Sequence, residues 1–128
     1  MREPRFLTFK QVERYHARSL REHGGSEGVR DRGLIESALA SAQNTYSYGG
    51  GDLFDIAATY AFHLAEAQAF LDGNKRTAIV SALAFLHLNG VVIRPNTAML
   101  YDAMIAIAEK RLNKAGLAEV LRRLAESA

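Results

Sequence analysis

The chain has 128 residues, of which 48% are hydrophobic and 23% are charged, and its formal net charge is +2. This length suits a single domain, residues 1–128, and the composition argues against a disordered chain. The chain has no cysteine, which excludes a disulfide framework and a thiolate metal site, and the positive charge is too small to indicate a nucleic-acid binder. The sequence shows neither the apolar core of a signal peptide nor the roughly 18 apolar residues of a membrane span, so we expect a cytoplasmic protein.

Two helices are predicted in the first third of the chain. The first begins after Thr8, which forms a capping-box pattern with Gln11, and runs to about His23, where two glycines end it. The second begins at Asp31 as its N-cap, and its apolar residues recur on one face. The stretch NTYSYGGGD, residues 44–52, is predicted to be a mobile loop, because it holds three successive glycines. This loop could act as a flap, and its two tyrosines could clamp a target.

Four more helices are predicted in the rest of the chain. Residues 53–70 are apolar on nearly every side, which is typical of a central helix covered all round. A fourth helix is predicted at residues 74–88 and ends at an Asn-Gly pair. An extended connector ending at Pro95 follows, and then a fifth helix capped by Thr97 that runs to about residue 111. The spacing of leucines and valine over residues 117–124 predicts a sixth. The fold class is therefore expected to be all-α, a compact bundle of about six helices.

A polar cluster, QAFLDGNKRT at residues 68–77, separates the third and fourth helices. Lys75 and Arg76 open the fourth helix, where the positive end of the helix dipole normally favours acidic residues, so an anion is expected there. Gly73 would let a ligand approach the main chain and the free N–H groups of residues 74–76. Arg76 would offer a planar fork to phosphate oxygens, Lys75 a point charge, and Asn74 a neutral donor. These groups together suit a polyphosphate.

Asp72 lies beside the two cations of this cluster. Next to a polyphosphate, its carboxylate would be well placed to hold Mg²⁺, which commonly takes one or two carboxylates together with phosphates. Phe70 is expected to anchor the turn in the core. From composition alone, a solvated surface turn explains the DGNKR cluster about as well as a phosphate site does.

The string AFLDGNKRTA, with the apolar helix before it, resembles the signature loop of the Fic/Doc family. The Doc branch of that family has the pattern His, any, Phe, any, Asp, any, Asn, Lys, Arg. A second stretch, GVRDRGLIESALA at residues 28–40, is similar to the segment that Doc-like proteins carry upstream. The resemblance covers essentially the whole chain and implies a small helical bundle. It also implies a death-on-curing toxin encoded beside an antitoxin, whose C-terminal segment folds into a groove on the toxin.

The resemblance further implies a kinase-type transferase that uses ATP and Mg²⁺ to modify a protein hydroxyl. Family members with glycine at the position of Lys75 typically transfer AMP, whereas Lys75 favours transfer of the terminal phosphate. Carried over by position, Asp72 would bind the metal and help to orient the hydroxyl, and the phosphates would be held by Gly73, Asn74, Lys75 and Arg76. The implied target is a threonine of translation elongation factor Tu, whose modification would inhibit translation and arrest growth.

Gln68 occupies the position of the family's catalytic histidine. That histidine takes the proton of the attacking hydroxyl, which an amide cannot do, so we expect this chain to be inactive. His63 is no replacement, because five residues correspond to about 140° around a helix. The remaining histidines, His16, His23 and His87, are expected to be structural or exposed. Two origins of Gln68 stay open: an engineered inactivation, which the intact DGNKRT favours, or a natural loss of catalysis.

Three other functional classes are compatible with parts of the sequence. An inactive Fic/Doc-like domain could act by occupancy of nucleotide, antitoxin or target, and an AMP-transferring Fic enzyme is a further alternative. DNA binding through Arg122 and Arg123 is disfavoured, because these residues can pair with Glu126 and Glu119 on one solvated helix face. We therefore expect no direct DNA binding and no membrane partner.

Overall fold

The computed structural model describes residues 3–94 and 96–126, and this part of the chain forms six α-helices. They are α1 (Phe9–His23), α2 (Arg32–Ser47), α3 (Leu53–Ala67), α4 (Asn74–Leu88), α5 (Thr97–Ala108) and α6 (Lys114–Glu126). Within the described residues, β-type pairing is limited to an isolated antiparallel bridge between Val29 and Phe70. The predicted all-α bundle is confirmed. Across the described ranges, no helix combines the length and apolar character needed to cross a membrane.

The first two helices begin as their capping residues predict. The Thr8 hydroxyl accepts a hydrogen bond from the Gln11 N–H, and the Gln11 side chain accepts one from the Thr8 N–H. The Asp31 carboxylate accepts from the Leu34 N–H at the start of α2. These bonds satisfy N–H groups that have no acceptor within the first turn, which explains why both helices start at these positions.

Helix α3 lies at the centre of the fold and packs against α2, α4, α5 and α6. Residues 56–61 are all buried, as the apolar character of this segment predicts. Its small alanines let neighbouring helices approach closely, and Tyr60 provides a polar link to the N-terminal segment. The Tyr60 hydroxyl accepts from the Leu7 N–H at 2.9 Å. Burial raises the pKa of Tyr60 to about 12, so the hydroxyl stays neutral.

The predicted loop at residues 44–52 is wrong in its first half, because residues 44–47 continue α2. Tertiary contacts extend the helix through this polar stretch. The Thr45 hydroxyl lies 2.9 Å from the Thr59 hydroxyl of α3. The Tyr46 ring packs edge-on against Phe6, with 6.0 Å between ring centroids. Tyr46 therefore packs against the core and is not part of a mobile loop.

The remaining loop, residues 48–52, leads into the N-terminal end of α3, where Asp52 is the N-cap. The polar cluster follows the C-terminal end of the same helix. A helix of 15 residues is about 22 Å long, so the loop that could act as a flap and the polar cluster lie at opposite ends of α3. The segment that does lie against the cluster is residues 24–31, as its hydrogen bonds described below show.

The last two helices differ in detail from the prediction. Asn96, not Thr97, is the N-cap of α5, and its side chain accepts from the Met99 N–H at 3.0 Å. The helix ends at Ala108 rather than near residue 111, because Lys110 takes a left-handed φ of 64° that breaks the helical path. Position 95, the predicted end of the connector, lies outside the described residues.

The charge pairing predicted on α6 is wrong for Arg122. Instead of Glu126, Arg122 contacts Glu119 one turn earlier and two carboxylates at the start of α3. Its Nη2 lies 2.9 Å from an oxygen of Asp52 and 3.2 Å from one of Asp55. The Arg122 guanidinium therefore joins α6 to α3.

Candidate active site

The loop between α3 and α4 begins at Gln68, which has a left-handed backbone conformation with φ 49° and ψ 46°. This conformation ends α3 at Ala67, three residues before the predicted end at residue 70. The chain then runs beside residues 28–31, and three backbone hydrogen bonds connect the two segments. The Ala69 carbonyl oxygen accepts from the N–H groups of Arg30 and Asp31, and the Leu71 N–H donates to the Gly28 carbonyl oxygen. The loop is thus held by the segment that precedes α2.

Asn74 closes this loop with its side chain. Its Oδ1 accepts from the Phe70 N–H at 3.1 Å, and its Nδ2 donates to the Phe70 carbonyl oxygen at 3.0 Å. The Phe70 ring is buried, in agreement with its predicted role as an anchor. The Asn74 amide, which the sequence suggested as a donor to phosphate, is therefore already used within the loop. The donor that Asn74 still offers at the helix start is its backbone N–H.

The N-terminus of α4 presents free N–H groups. Gly73 is the N-cap and has no side chain to satisfy them, and the first bond within the helix runs from the Thr77 N–H to the Gly73 carbonyl oxygen at 3.0 Å. The N–H groups of residues 74–76 precede that bond and have no helical acceptor. Gly73 takes a φ of 77°, which glycine adopts without steric cost. Lys75 and Arg76 add full positive charges to the positive end of the helix dipole.

The Asp72 carboxylate is held by two backbone donors. Its Oδ1 accepts from the Gly73 N–H at 2.9 Å and its Oδ2 accepts from the Ser26 N–H at 3.2 Å. A Cβ at position 25 would lie 2.8 Å from this Oδ2, so Gly25 permits the close approach of the two segments. About two of the roughly four lone-pair directions of the carboxylate remain available.

The donor set around Asp72 fits a magnesium ion that is shared with a substrate. No group of three or more His, Cys, Asp or Glu side chains that could hold a metal occurs in the described part of the chain. A protein-built cage is therefore not present there. A lone carboxylate beside groups that could bind a phosphate would suit Mg²⁺, which commonly takes one or two carboxylates together with phosphate oxygens and water.

These groups meet at one open cavity of about 300 Å³. All six residues that the sequence singled out line it: Gln68, Asp72, Gly73, Asn74, Lys75 and Arg76. Leu71 and Tyr101 also line it, and these two residues are 59% and 39% exposed respectively. Tyr101 was missed from the sequence because it belongs to α5, far along the chain from the cluster.

Two of the histidines, His63 and His16, are half-buried and buried respectively. His63 contacts Lys114, whose ammonium donates to the His63 Nε2 over 3.1 Å, so His63 does not belong to the side chains lining the cavity. Burial, and then the Lys114 charge, lower the pKa of His63. His16 instead reaches the loop: its Nε2 lies 2.8 Å from the Asp72 carbonyl oxygen, and its ring stacks on Phe70.

Sequence reasoning did not connect His16 with the site. Of the three histidines expected to be structural or exposed, His23 and His87 are exposed and His16 is buried. One signal could have separated it from the others: Val12, His16 and Ser19 follow the spacing i, i+4, i+7, and all three are buried on one face of α1. This spacing places His16 inward but does not reveal its partner.

Comparisons with known proteins identify the family of this chain. Residues 6–86 match the model of the Fic/DOC family. The chain is 34% identical to Protein kinase doc of Escherichia phage P1 over 125 residues, which cover 97% of this chain and 98% of that protein. It is 48% identical to Toxin Doc of Mycolicibacterium smegmatis over 71 residues, 53% of this chain and about half, 54%, of that relative's length. Because the family match covers more than half of the chain and the similarity to the phage protein extends over nearly all of it, this chain belongs to the Fic/DOC family.

Proposed function

We propose that this chain is a Doc-like toxin whose site is built to transfer the terminal phosphate of ATP to a protein hydroxyl, and that Gln68 leaves it largely inactive. The observation that carries the proposal is the convergence on one cavity of the Asp72 carboxylate, two cations and the free N–H groups of residues 74–76. The names of the two relatives, a kinase and a toxin, support the reaction class and the biological effect.

The groups at the cavity support binding of a polyphosphate. The N–H groups of residues 74–76 and the helix dipole bind phosphate oxygens, Arg76 offers two parallel donors, and Lys75 adds a point charge. Asp72 would hold Mg²⁺, which when bound neutralises phosphate charge. In the family, lysine rather than glycine at position 75 accompanies phosphate transfer, so Lys75 favours this reaction over AMP transfer.

The proposed reaction requires a proton acceptor, and Gln68 stands where the family has its catalytic histidine. The hydroxyl oxygen of the target bonds to the γ-phosphorus of ATP, the bond from that phosphorus to the bridging oxygen breaks, and ADP leaves with the electron pair. The hydroxyl proton must pass to a base. The amide of Gln68 does not take up a proton near neutral pH, and the His63 ring contacts Lys114 instead of the cavity. The expected loss is about 10²-fold to 10⁴-fold in rate.

The proposed target is a threonine of translation elongation factor Tu, as the family resemblance implies. The exposed side chains of Leu71 and Tyr101 at the cavity support a protein rather than a small-molecule acceptor, because they offer apolar surface beside the phosphate-binding groups. Phosphorylation of that factor would stop translation and thereby growth.

The proposed regulatory partner is a cognate antitoxin, bound in a groove beside the cavity. The groove has a volume of about 370 Å³ and runs between α1 and α4, with Tyr15, Ile79 and Leu83 among its apolar lining. Arg76 and Tyr101 line both the groove and the cavity. An antitoxin segment in the groove would therefore contact the phosphate-binding arginine.

Introducing a charge into the groove tests the antitoxin site. We expect Leu83→Glu to abolish binding of an antitoxin peptide, measured by calorimetry, because a carboxylate would be buried among apolar side chains. Leu88→Glu, on the same helix but outside the lining residues, is the control and should bind normally. Unchanged peptide affinity in Leu83→Glu would place the antitoxin elsewhere.

Restoring the histidine tests the proposed reaction. This chain and its Gln68→His variant are incubated with γ-labelled ATP, Mg²⁺ and purified elongation factor Tu, and the label in the factor is followed. We expect the variant to transfer label about 10²-fold to 10⁴-fold faster. Gln68→His combined with Asp72→Asn is the control and should lose that gain.

Two outcomes would change the assignment. Label entering the factor from α-labelled ATP would identify AMP transfer instead of phosphate transfer. If neither chain transfers any label, the target or the reaction is wrong. Nucleotide binding without turnover in both chains would then favour the alternative, an inactive binding protein that acts by occupancy.

A further inference from the structure

His16 of α1 contacts the loop between α3 and α4 at the peptide group that joins Asp72 to Gly73. Its Nε2 lies 2.8 Å from the Asp72 carbonyl oxygen, although 56 residues separate the two in the chain. A carbonyl oxygen only accepts, so Nε2 carries the hydrogen and donates. The His16 residue is 6% exposed, which shields this bond from competing water.

The geometry of one peptide group connects this bond to the Asp72 carboxylate. The described part of the chain contains no cis peptide bond, and in a trans peptide the C=O and N–H groups point in opposite directions. The C=O of the peptide between residues 72 and 73 points at His16. The N–H of the same peptide donates to Asp72 Oδ1 at 2.9 Å. A bond that holds the Asp72 C=O in one direction therefore also holds the Gly73 N–H in one direction. That N–H in turn orients the Asp72 carboxylate.

The His16 ring is itself held in place by the loop. It stacks on the Phe70 ring with 3.8 Å between centroids and 11° between planes. Phe70 is held at both of its backbone groups by Asn74. A Cβ at position 73 would lie 3.7 Å from the His16 ring, so Gly73 passes close to the ring as well. The donor atom of His16 therefore has a defined position relative to the peptide that it contacts.

We infer that His16 is a positioning residue, which orients the Asp72 carboxylate through the peptide group between residues 72 and 73. The inference rests on the proposed function in that Asp72 is the residue that would hold Mg²⁺. Groups that orient a metal-binding carboxylate through a hydrogen bond typically change metal affinity by about 10-fold to 100-fold when removed. A histidine that only fills space on the buried face of α1 would have no such effect.

Two substitutions separate the donor of His16 from its ring. His16→Phe keeps a flat ring that can stack on Phe70 but removes the donor. His16→Gln loses the ring but keeps an N–H donor at the end of its side chain. Circular dichroism and thermal unfolding establish that both variants are folded.

The first measurement uses the protein without any ligand. Hydrogen exchange of the Gly73 amide is followed by nuclear magnetic resonance, since that amide donates to Asp72 only while the peptide group is oriented. We expect exchange to be about fivefold faster in His16→Phe, in keeping with the loss of one hydrogen bond, and near its original rate in His16→Gln. Unchanged Gly73 exchange in His16→Phe would overturn the inference.

The second measurement compares ATP binding with Mg²⁺ and with a chelator, using the Gln68 chain. We expect His16→Phe to weaken ATP binding with Mg²⁺ by about 10-fold or more, to leave binding in chelator within about twofold, and to be rescued by His16→Gln. In an Asp72→Asn background the same substitution should have no further effect on the Mg²⁺ dependence. Equal weakening with and without Mg²⁺ would overturn the inference, because it would indicate a general loss of loop structure.

The two measurements separate this inference from the proposed function. If no version of the chain binds ATP, the proposed function fails, and faster Gly73 exchange in His16→Phe would still support the positioning of the loop by His16. If ATP binds but neither the exchange nor the Mg²⁺ dependence responds to His16, the proposed function stands and the positioning role is wrong.

Discussion

Gln68 has an unfavourable backbone conformation and occupies the position of the family's catalytic histidine. A left-handed conformation costs a residue with a side chain about 1–2 kcal/mol, and glutamine lacks the short polar side chain that offsets this cost in asparagine. The conformation persists because helix α3 holds the chain before Gln68, and the backbone bonds between residues 69–71 and 28–31 hold the chain after it. Histidine occurs several-fold more often than average in this region, so the Gln68→His change meets no new backbone obstacle.

The strain at Gln68 predicts that Gln68→Gly increases the free energy of unfolding by up to about 1 kcal/mol, because glycine adopts the left-handed conformation freely. Gln43, an exposed residue inside α2, provides the control. Gln43→Gly should lower the free energy of unfolding by about 1 kcal/mol, the usual cost of glycine in a helix. Urea denaturation measures both values. A decrease in both variants would show that Gln68 is not strained.

The sequence could predict those cavity-lining residues that lie close together in the chain. Gln68 and residues 72–76 lie in one short loop and the first turn of one helix, so their meeting needs no knowledge of the tertiary fold. His16 and Tyr101 reach the loop and the cavity from α1 and α5, and their positions depend on how those helices pack. The sequence could not predict that Asn74 closes the loop either, because a side-chain amide can hydrogen-bond to a ligand or to the backbone.

Helix α6 is joined to the start of α3 by a charged contact that also involves a helix cap. Asp52 and Asp55 form a capping box at the start of α3, and Arg122 of α6 donates to both carboxylates. Burial raises the pKa of Asp52, but the Asp55 N–H and the Arg122 guanidinium outweigh it, so the pKa lies below its ordinary value. The same contact with Asp52 raises the pKa of Arg122. The cap stays charged and the two helices stay linked.

Removing this contact should destabilise the fold more than removing an ordinary surface pair. We expect Arg122→Met to lower the free energy of unfolding by about 1 kcal/mol, the upper end for partly exposed ion pairs. Arg18→Met breaks a single i, i+4 pair with Glu22 on α1 and should cost about 0.3–0.5 kcal/mol. Urea denaturation at low and high salt measures both. Equal values would show that the link between α6 and α3 adds nothing.

Helix starts could be predicted from the sequence better than helix ends. Thr8 and Asp31 begin helices through bonds to residues three positions later, which a sequence pattern contains in full. The end of α2 depends on Thr45 contacting another helix, and the end of α3 depends on the backbone pairing of residues 69–71. Both contacts join segments that are distant in the chain. Local composition therefore placed a loop where the fold supports a helix.

The stability of the whole fold should depend on pH through His63. Its pKa in the folded protein is lowered from the ordinary value of 6.5, first by burial and then by Lys114, with Glu66 acting in the opposite direction. The unfolded chain then binds the proton more readily than the folded protein. The stabilisation from a neutral His63 is complete above pH 6.5 and is lost as the pH falls through the lower pKa of the folded state.

A variant without this titration isolates the effect. We expect the unfolding free energy of the original chain to fall faster than that of His63→Gln as the pH is lowered from 6.5, with parallel curves above it. The other three histidines are present in both proteins, so their contributions cancel in the difference. Chemical denaturation between pH 5 and 8, an approximate range over which histidine changes charge, provides the measurement. Parallel curves at all pH values would contradict the prediction.

The central position of α3 was predictable because a segment that is apolar on all sides must be covered on all sides. Which helices cover it was not, since the pattern of one helix does not specify its neighbours. For the same reason, the sequence could not show which part of the fold the predicted flap lies beside. A glycine-rich loop can be recognised in the sequence, but only the direction of α3 shows that residues 48–52 and the cavity lie at opposite ends of that helix.

Because α6 packs against α3, the core can be completed only late in translation. Helices α4 and α5 lie between these two in the chain, so α3 leaves the ribosome well before the helix that covers it. Until α6 emerges, one face of α3 is not covered, and Asp52 and Asp55 lack their ion pairs with Arg122. Nascent chains that end before Lys114 would expose apolar surface to chaperones and proteases. An interrupted message would therefore yield fragments that a cell can clear, and only a chain translated through α6 would complete its core.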